Sequence, residues 1–430
     1  MASTHVPRTA RHTSEHSPMA QLRSALVEDG LRAWDGRKAV RNPLTDPRER
    51  RLVDFLLGAG LVCDGIALPG VPFPLAETCG IALLVIAFFR APERSLRRFG
   101  LLAVVLAVLV VYLAVGSAAN DVDPTRRLTR IVILMLLVYA YASERLDLRA
   151  SLLGMGAGLL VNVPLFYAGI SPDAYGGYLT GVLGDKNVAG MAYALLPVLL
   201  SATTTAMRTK ILYLVLGFGL TFLTGSRTSL AALFCATVWI VFSTYLGPVF
   251  RLLLIGAMAW LVDWAERTLA DLSVFGDRTG TDWFRERIHE ASWAKTQAAP
   301  WYGEGLSTAY VQLENTTMFF HNSYWGLLTE GGYFFLLVIV GAYVFIGLRP
   351  LAVAAERTPT RVAVEAATVV IFVVSLQLGE VFITVMGAML LACGLLLMAD
   401  ERDPQSLQDK ELLRRERLAE TVRRRNGYTN

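Results

Sequence analysis

The chain has 430 residues, of which 54% are hydrophobic and 18% charged, with a net charge of +4 and a mean hydropathy of +0.46. A soluble protein of this length would carry about 25% charged residues, and the apolar residues here fall in runs of about 16–25, the length a helix needs to cross roughly 30 Å of hydrocarbon. These features exclude a soluble globular domain, and because the runs are continuous they also exclude a transmembrane barrel, whose strands alternate.

The expected fold is all-α: a polytopic membrane protein of about twelve spans, with one large extracytoplasmic loop between spans 9 and 10. Residues 1–51 form a cytoplasmic N-terminal tail, polar and Arg-rich, with no apolar core before about Leu52 and so no expected cleavable signal peptide. Within it, 19–34 is either a short amphipathic surface helix or a loosely ordered stretch. The spans are placed near 52–68, 74–89, 99–116, 129–142, 151–169, 188–204, 210–225, 228–246, 249–264, 322–347, 362–378 and 380–398. The transmembrane domain is thus 52–398, with its loop at 265–321, and 399–430 is a charged cytoplasmic tail. Leu407, Leu412, Leu413 and Leu418 give that tail an amphipathic pattern suited to anionic lipid. Cys63, Cys79, Cys235 and Cys393 all fall in apolar runs, as small hydrophobes do, so neither a metal site nor a disulfide framework is expected.

Charge distribution sets the expected orientation. With the N-terminus inside, the cytoplasmic segments hold 30 of the 40 Lys and Arg residues. This sidedness accounts for the basic pI without nucleic acid. The other ten are Arg126, Arg127, Arg130, Lys186, Arg227, Arg267, Arg278, Arg285, Arg287 and Lys295. Topology gives no reason for these, and Lys186, Arg227, Arg285 and Arg287 sit in polar motifs.

Arg227 lies in Thr224-Gly-Ser-Arg-Thr-Ser229, a short link between two spans. It either faces a polar pocket, as an Arg at membrane depth usually does, or snorkels to the headgroups. Asp185, Lys186 and Asn187 open the sixth span. One of them can simply cap that helix, or the cap can leave the helix amides to meet an anion. In the polar interval, Thr281 or Asp282 can cap a helix over roughly 282–299 that Pro300 ends. On it Arg285 and His289 are four apart, Arg287 points elsewhere, and Trp283 and Trp293 supply aromatic surface. Solvated salt bridging is the plain alternative for this face. His321 stands just before Asn322-Ser-Tyr-Trp325, where an imidazole can serve as base or donor or be structural.

Taken in order, GDKN at 184–187, GSRTS at 225–229, PWYGEG at 300–305, HNSYW at 321–325 and TEGG at 329–332 resemble the O-antigen ligase and polymerase superfamily, the WaaL/Wzy-type membrane proteins. The resemblance covers about 181–332 and the span count. It implies an enzyme of the bacterial cytoplasmic (inner) membrane, with both termini cytoplasmic. This enzyme would transfer a glycan from a polyprenyl pyrophosphate donor to a lipid or glycan acceptor at the outer face, without a metal or other cofactor. Arg227, Arg285 and His321 are then the expected catalytic residues, with Arg287, Lys186, Asn187, His289, Asn322 and Tyr324 binding substrate. His289 occupies the position where such proteins often carry a Trp, which leaves the choice between Arg285 and Arg287 open. A repeat-unit polymerase of the same superfamily, a lipid or solute transporter and a non-catalytic assembly factor are the competing readings.

Overall fold

Local chemistry starts most of the helices. Asp147 accepts from the Ala150 amide and Thr358 from the Arg361 amide, while Pro74 and Pro124 stand immediately before helices and Pro359 at the first helical position. The structure, a computed structural model, describes residues 44–45, 51–70, 73–268, 279–314, 316–350 and 357–401, with the backbone alone at 263–268, 279–283, 285 and 401. The expected amphipathic stretches at 19–34 and in the C-terminal tail lie outside the described residues.

The described chain runs through α1 (Leu52–Gly60), α2 (Leu75–Phe89), α3 (Gly100–Ala119), α4 (Thr125–Ala142), α5 (Leu148–Tyr167), α6 (Lys186–Ser201), α7 (Met207–Leu223), α8 (Arg227–Phe242) and α9 (Pro248–Thr268). Then follow α10 (Thr279–Ala298), an antiparallel hairpin of β1 (Tyr310–Leu313) and β2 (Thr316–Phe319), α11 (Ser323–Ala342), α12 (Pro359–Val374) and α13 (Val385–Glu401). The fold is therefore mostly helical, and the hairpin, with Tyr310 opposite Phe319, is its departure from all-α. Among the described residues, three helices are long and apolar enough to cross a membrane: Arg97–Ala119, Leu148–Tyr167 and Ser323–Leu348. Leu75–Phe89, Lys186–Ser201, Arg227–Phe242, Pro248–Val262 and Val385–Asp400 are apolar but shorter. Leu101, Val104, Val108, Val111 and Val115 form an exposed stripe along α3, an apolar surface that soluble monomers rarely show and that marks the protein as membrane-associated.

Two expectations about element ends are corrected. The helix within 52–68 stops at Gly60, where the Cys63 amide turns back to the Gly60 carbonyl at 3.0 Å, and small residues let α1 and α5 approach closely. A Cβ on Gly58 would lie 2.5 Å from the Ser151 carbonyl oxygen, and one on Gly158 2.7 Å from that of Ala59. Beyond Gly60 the chain turns, and the Gly65 amide donates to the Val182 carbonyl at 2.8 Å. The helix expected over roughly 282–299 already includes Thr279, so Thr281 and Asp282 lie within it rather than before it.

The core is built on α6 and α12, buried almost from end to end, which suits helices apolar all round. Both α6 and α8 run antiparallel to α12. Thr360, at the start of α12, donates from Oγ1 to the Ala202 carbonyl just past α6 at 3.4 Å, and Trp239, near the end of α8, donates from Nε1 to Glu365 at 3.1 Å. The starts of α6 and α8 therefore lie at the same end of the bundle as the end of α12. At the opposite end Arg90 pairs with Asp54 at 2.8 Å, Arg94 with Asp400 at 3.1 Å and Arg357 with Glu365.

The helix α11 is broken at Gly331 and Gly332, the latter at φ +64°. The Pro300–Gly305 segment lies on this break. The Glu304 amide donates to the Thr329 carbonyl at 2.7 Å, Gly305 to Glu330 at 3.0 Å, and Tyr333 to Trp301 at 3.0 Å. The PWYGEG motif of the loop and the TEGG motif of α11 thus clasp one another. At Gly332 a side chain would suffer left-handed strain of about 1–3 kcal/mol and overlap the Trp301 carbonyl. Gly332→Ala is therefore expected to lower the thermal midpoint of the purified protein by several degrees. Gly341→Ala, whose Cβ would meet only the Phe345 ring at 3.9 Å, is expected to shift it little. Equal midpoints for the two variants would refute the clasp.

Candidate active site

At the end of the bundle where α12 finishes, the starts of α6 and α8 pack together. A Cβ on Gly190 would lie 2.5 Å from Ser226 Cβ and 2.7 Å from Ser229 Oγ. Lys186 and Arg227, each the first residue of its helix, are thereby placed in one neighbourhood. Tyr178 joins them: its ring fills the space a side chain at Gly225 would need, and Lys186 Nζ stands 5.5 Å from its centroid and 5.7 Å from that of Tyr175, within cation–π range. Lys186 is buried and Arg227 half-buried. Two of the α6 amides are taken by the cap, because Asp185 Oδ1 accepts from Asn187 at 2.7 Å and Val188 at 3.1 Å, while Oδ2 takes the Tyr175 hydroxyl. The capping alternative is thus what the fold uses at α6. At α8 the cap residue Ser226 makes no side-chain bond to the helix amides, and its Oγ pairs with Ser229 Oγ at 2.9 Å.

His321 lies between β2 and α11, half-buried, at this same end. The tie runs through the last turn of α12 and the chain after it. Asn322 Nδ2 donates to the Leu376 carbonyl at 3.2 Å, the Ser323 amide to Ser375 at 2.9 Å and the Tyr324 hydroxyl to Phe372 at 3.1 Å. Asn322 Oδ1 also accepts from the Tyr324 and Trp325 amides at 3.0 and 3.2 Å, capping α11. The polar atoms of Asn322 and Tyr324 thus tie the segment that carries His321 to α12.

The residues of α10 divide. Arg287 pairs with Glu314 at the hairpin turn at 2.6 Å, on the exposed side. His289 lies against the Trp325 ring, centroids 4.5 Å apart. Desolvation by its neighbours holds its pKa below the ordinary imidazole value, and Glu290 opposes that shift. Arg285 lies in the helix four residues before His289, with its side chain outside the described residues. Lys295 staples α10 to the loop beyond, donating to the Thr308 and Tyr310 carbonyls at 2.7 and 2.9 Å.

The chain matches no protein-family model and no curated protein.

Sequence reasoning missed a sheltered charge network at this end. Arg127 pairs with Glu330 at 3.1 Å and with Glu380, and Arg130 with Glu380 and Glu77, both at 3.3 Å. Glu330 Oε1 also accepts the Ser307 amide at 3.0 Å, which ties the network to the clasp. The available signal was that Arg127 and Arg130 lacked a topological reason while Glu77, Glu330 and Glu380 sat in apolar surroundings, where a carboxylate needs a cation. Chemically, this end of the bundle offers an ammonium, a guanidinium and a helix N-terminus for anionic oxygens, and an imidazole for proton transfer.

Proposed function

We propose that the chain is a membrane glycosyltransferase of the O-antigen ligase type, with about twelve spans, both termini in the cytoplasm and 265–321 on the outer face. The observation that carries this reading is the grouping of Lys186 and Arg227 at two packed helix starts, at the bundle end that also holds His321. The donor is a glycan on polyprenyl pyrophosphate and the acceptor a lipid or glycan hydroxyl. The acceptor oxygen attacks the anomeric carbon as the bond to the phosphate oxygen breaks, and the pyrophosphate leaves with both bonding electrons. Arg227, with Arg285 from α10 and assistance from Lys186, stabilises the developing charge, the role a metal ion fills elsewhere. His321 accepts the hydroxyl proton.

The test is reconstitution of the purified protein with polyprenyl-pyrophosphate glycans and candidate acceptors. Transfer without any ion gradient is expected, with His321→Ala lowering it by about a hundredfold. Transfer that His321→Ala leaves unchanged, or movement of the donor across the bilayer in place of transfer, would sink the reading. A product ladder of repeat units would move it to the polymerase branch.

A further inference from the structure

We propose that His289, Trp293 and Trp325 form a stacking subsite for one sugar ring of the glycan that reaches this end of the bundle. The inference rests on the glycan-transfer reading and adds to it a place for the sugar, which the phosphate-directed cations do not supply. His289 and Trp293 are four residues apart on α10 and so share a face. Both rings meet Trp325, at centroid distances of 4.5 and 5.1 Å and tilts of 52° and 40°. Trp325 packs against the small core of Ile288, Val311 and Phe320. Trp293 takes no part in that core and is 45% exposed. The result is a rigid aromatic shelf with an open outer face.

Its surroundings favour a sugar over lipid. A pyranose carries an apolar C–H face ringed by hydroxyls. The shelf carries negative π faces suited to polarised C–H groups, and exposed polar side chains flank it on α10: Glu290 next to His289 and Gln297 one turn beyond Trp293. A lipid-facing patch would be flanked by aliphatic side chains, as on α3. The shelf also begins beside the proposed base. The Trp325 amide is bonded by Asn322, the neighbour of His321, at 3.2 Å.

The test uses the full-length protein in nanodiscs and a panel of lipid-free bacterial surface oligosaccharides as probe, read by direct binding. Wild type is expected to bind at least one oligosaccharide, and Trp293→Ala to weaken that binding by about tenfold or more, as for truncation of an aromatic anchor. In the transfer assay Trp293→Ala should raise KM with kcat largely kept. The substrate whose KM rises tells whether the ring belongs to donor or acceptor. Unchanged binding in Trp293→Ala, no oligosaccharide binding by wild type, or quenching of Trp293 by brominated lipid each overturns the subsite. Trp293-dependent binding without any transfer keeps the subsite and sinks the transferase reading instead.

Discussion

Arg227→Ala is expected to lower glycan transfer by at least about a hundredfold while the protein reaches the membrane in normal amount. The magnitude is that of removing one preorganised donor from developing transition-state charge, about 10²–10³ in rate. Arg227 opens α8 directly beside the start of α6, so its loss removes positive charge where the pyrophosphate is proposed to lie. Arg227→Lys should recover only part of the rate, because an ammonium gives one point charge where the guanidinium gives a planar fork for two oxygens. An Arg that merely snorkels would behave differently, with both variants transferring at near wild-type rate. Transfer normalised to membrane-inserted protein decides between these outcomes.

Arg127→Ala is expected to destabilise the fold by about 3–5 kcal/mol, the cost of leaving a buried charge without its partner. Glu330 is 4% exposed, and its carboxylate is held by Arg127 and the Ser307 amide. Removing the guanidinium strands that carboxylate inside the clasp between the polar interval and the break in α11. Replacing both charges by apolar groups, as in Arg127→Leu with Glu330→Leu, removes the stranded charge. The double variant should therefore be more stable than either single one. Thermal midpoints of the four proteins in one detergent give the comparison, and additive losses would show that the pair does not couple.

The helix positions were legible in the sequence because their causes are local. An apolar run, a proline or a capping Asp acts over three or four residues, so α2 to α9 and α11 to α13 fall close to where the runs predicted them. The motifs that converge near α12 were legible as polar groups out of place in apolar sequence. What those groups do was not legible. Asp185 engages the α6 amides through its carboxylate, while the Asn322 carboxamide and the Tyr324 hydroxyl donate to carbonyls of α12 and the chain beyond it. Each is a choice among partners that only packing brings within reach. The short α1 is a like case, since the chain beyond it turns to meet Val182, a partner remote in sequence.

The sequence by itself determined a helical membrane-associated chain with a polar interval bearing His, Trp and Arg. Continuous apolar length leaves a helix as the way to satisfy the backbone in lipid. Only the tertiary structure decided which charges pair. Arg127 meets Glu330 and Glu380 across 203 and 253 residues of chain, because a buried charge takes the partner that helix packing supplies, however far away it lies in sequence.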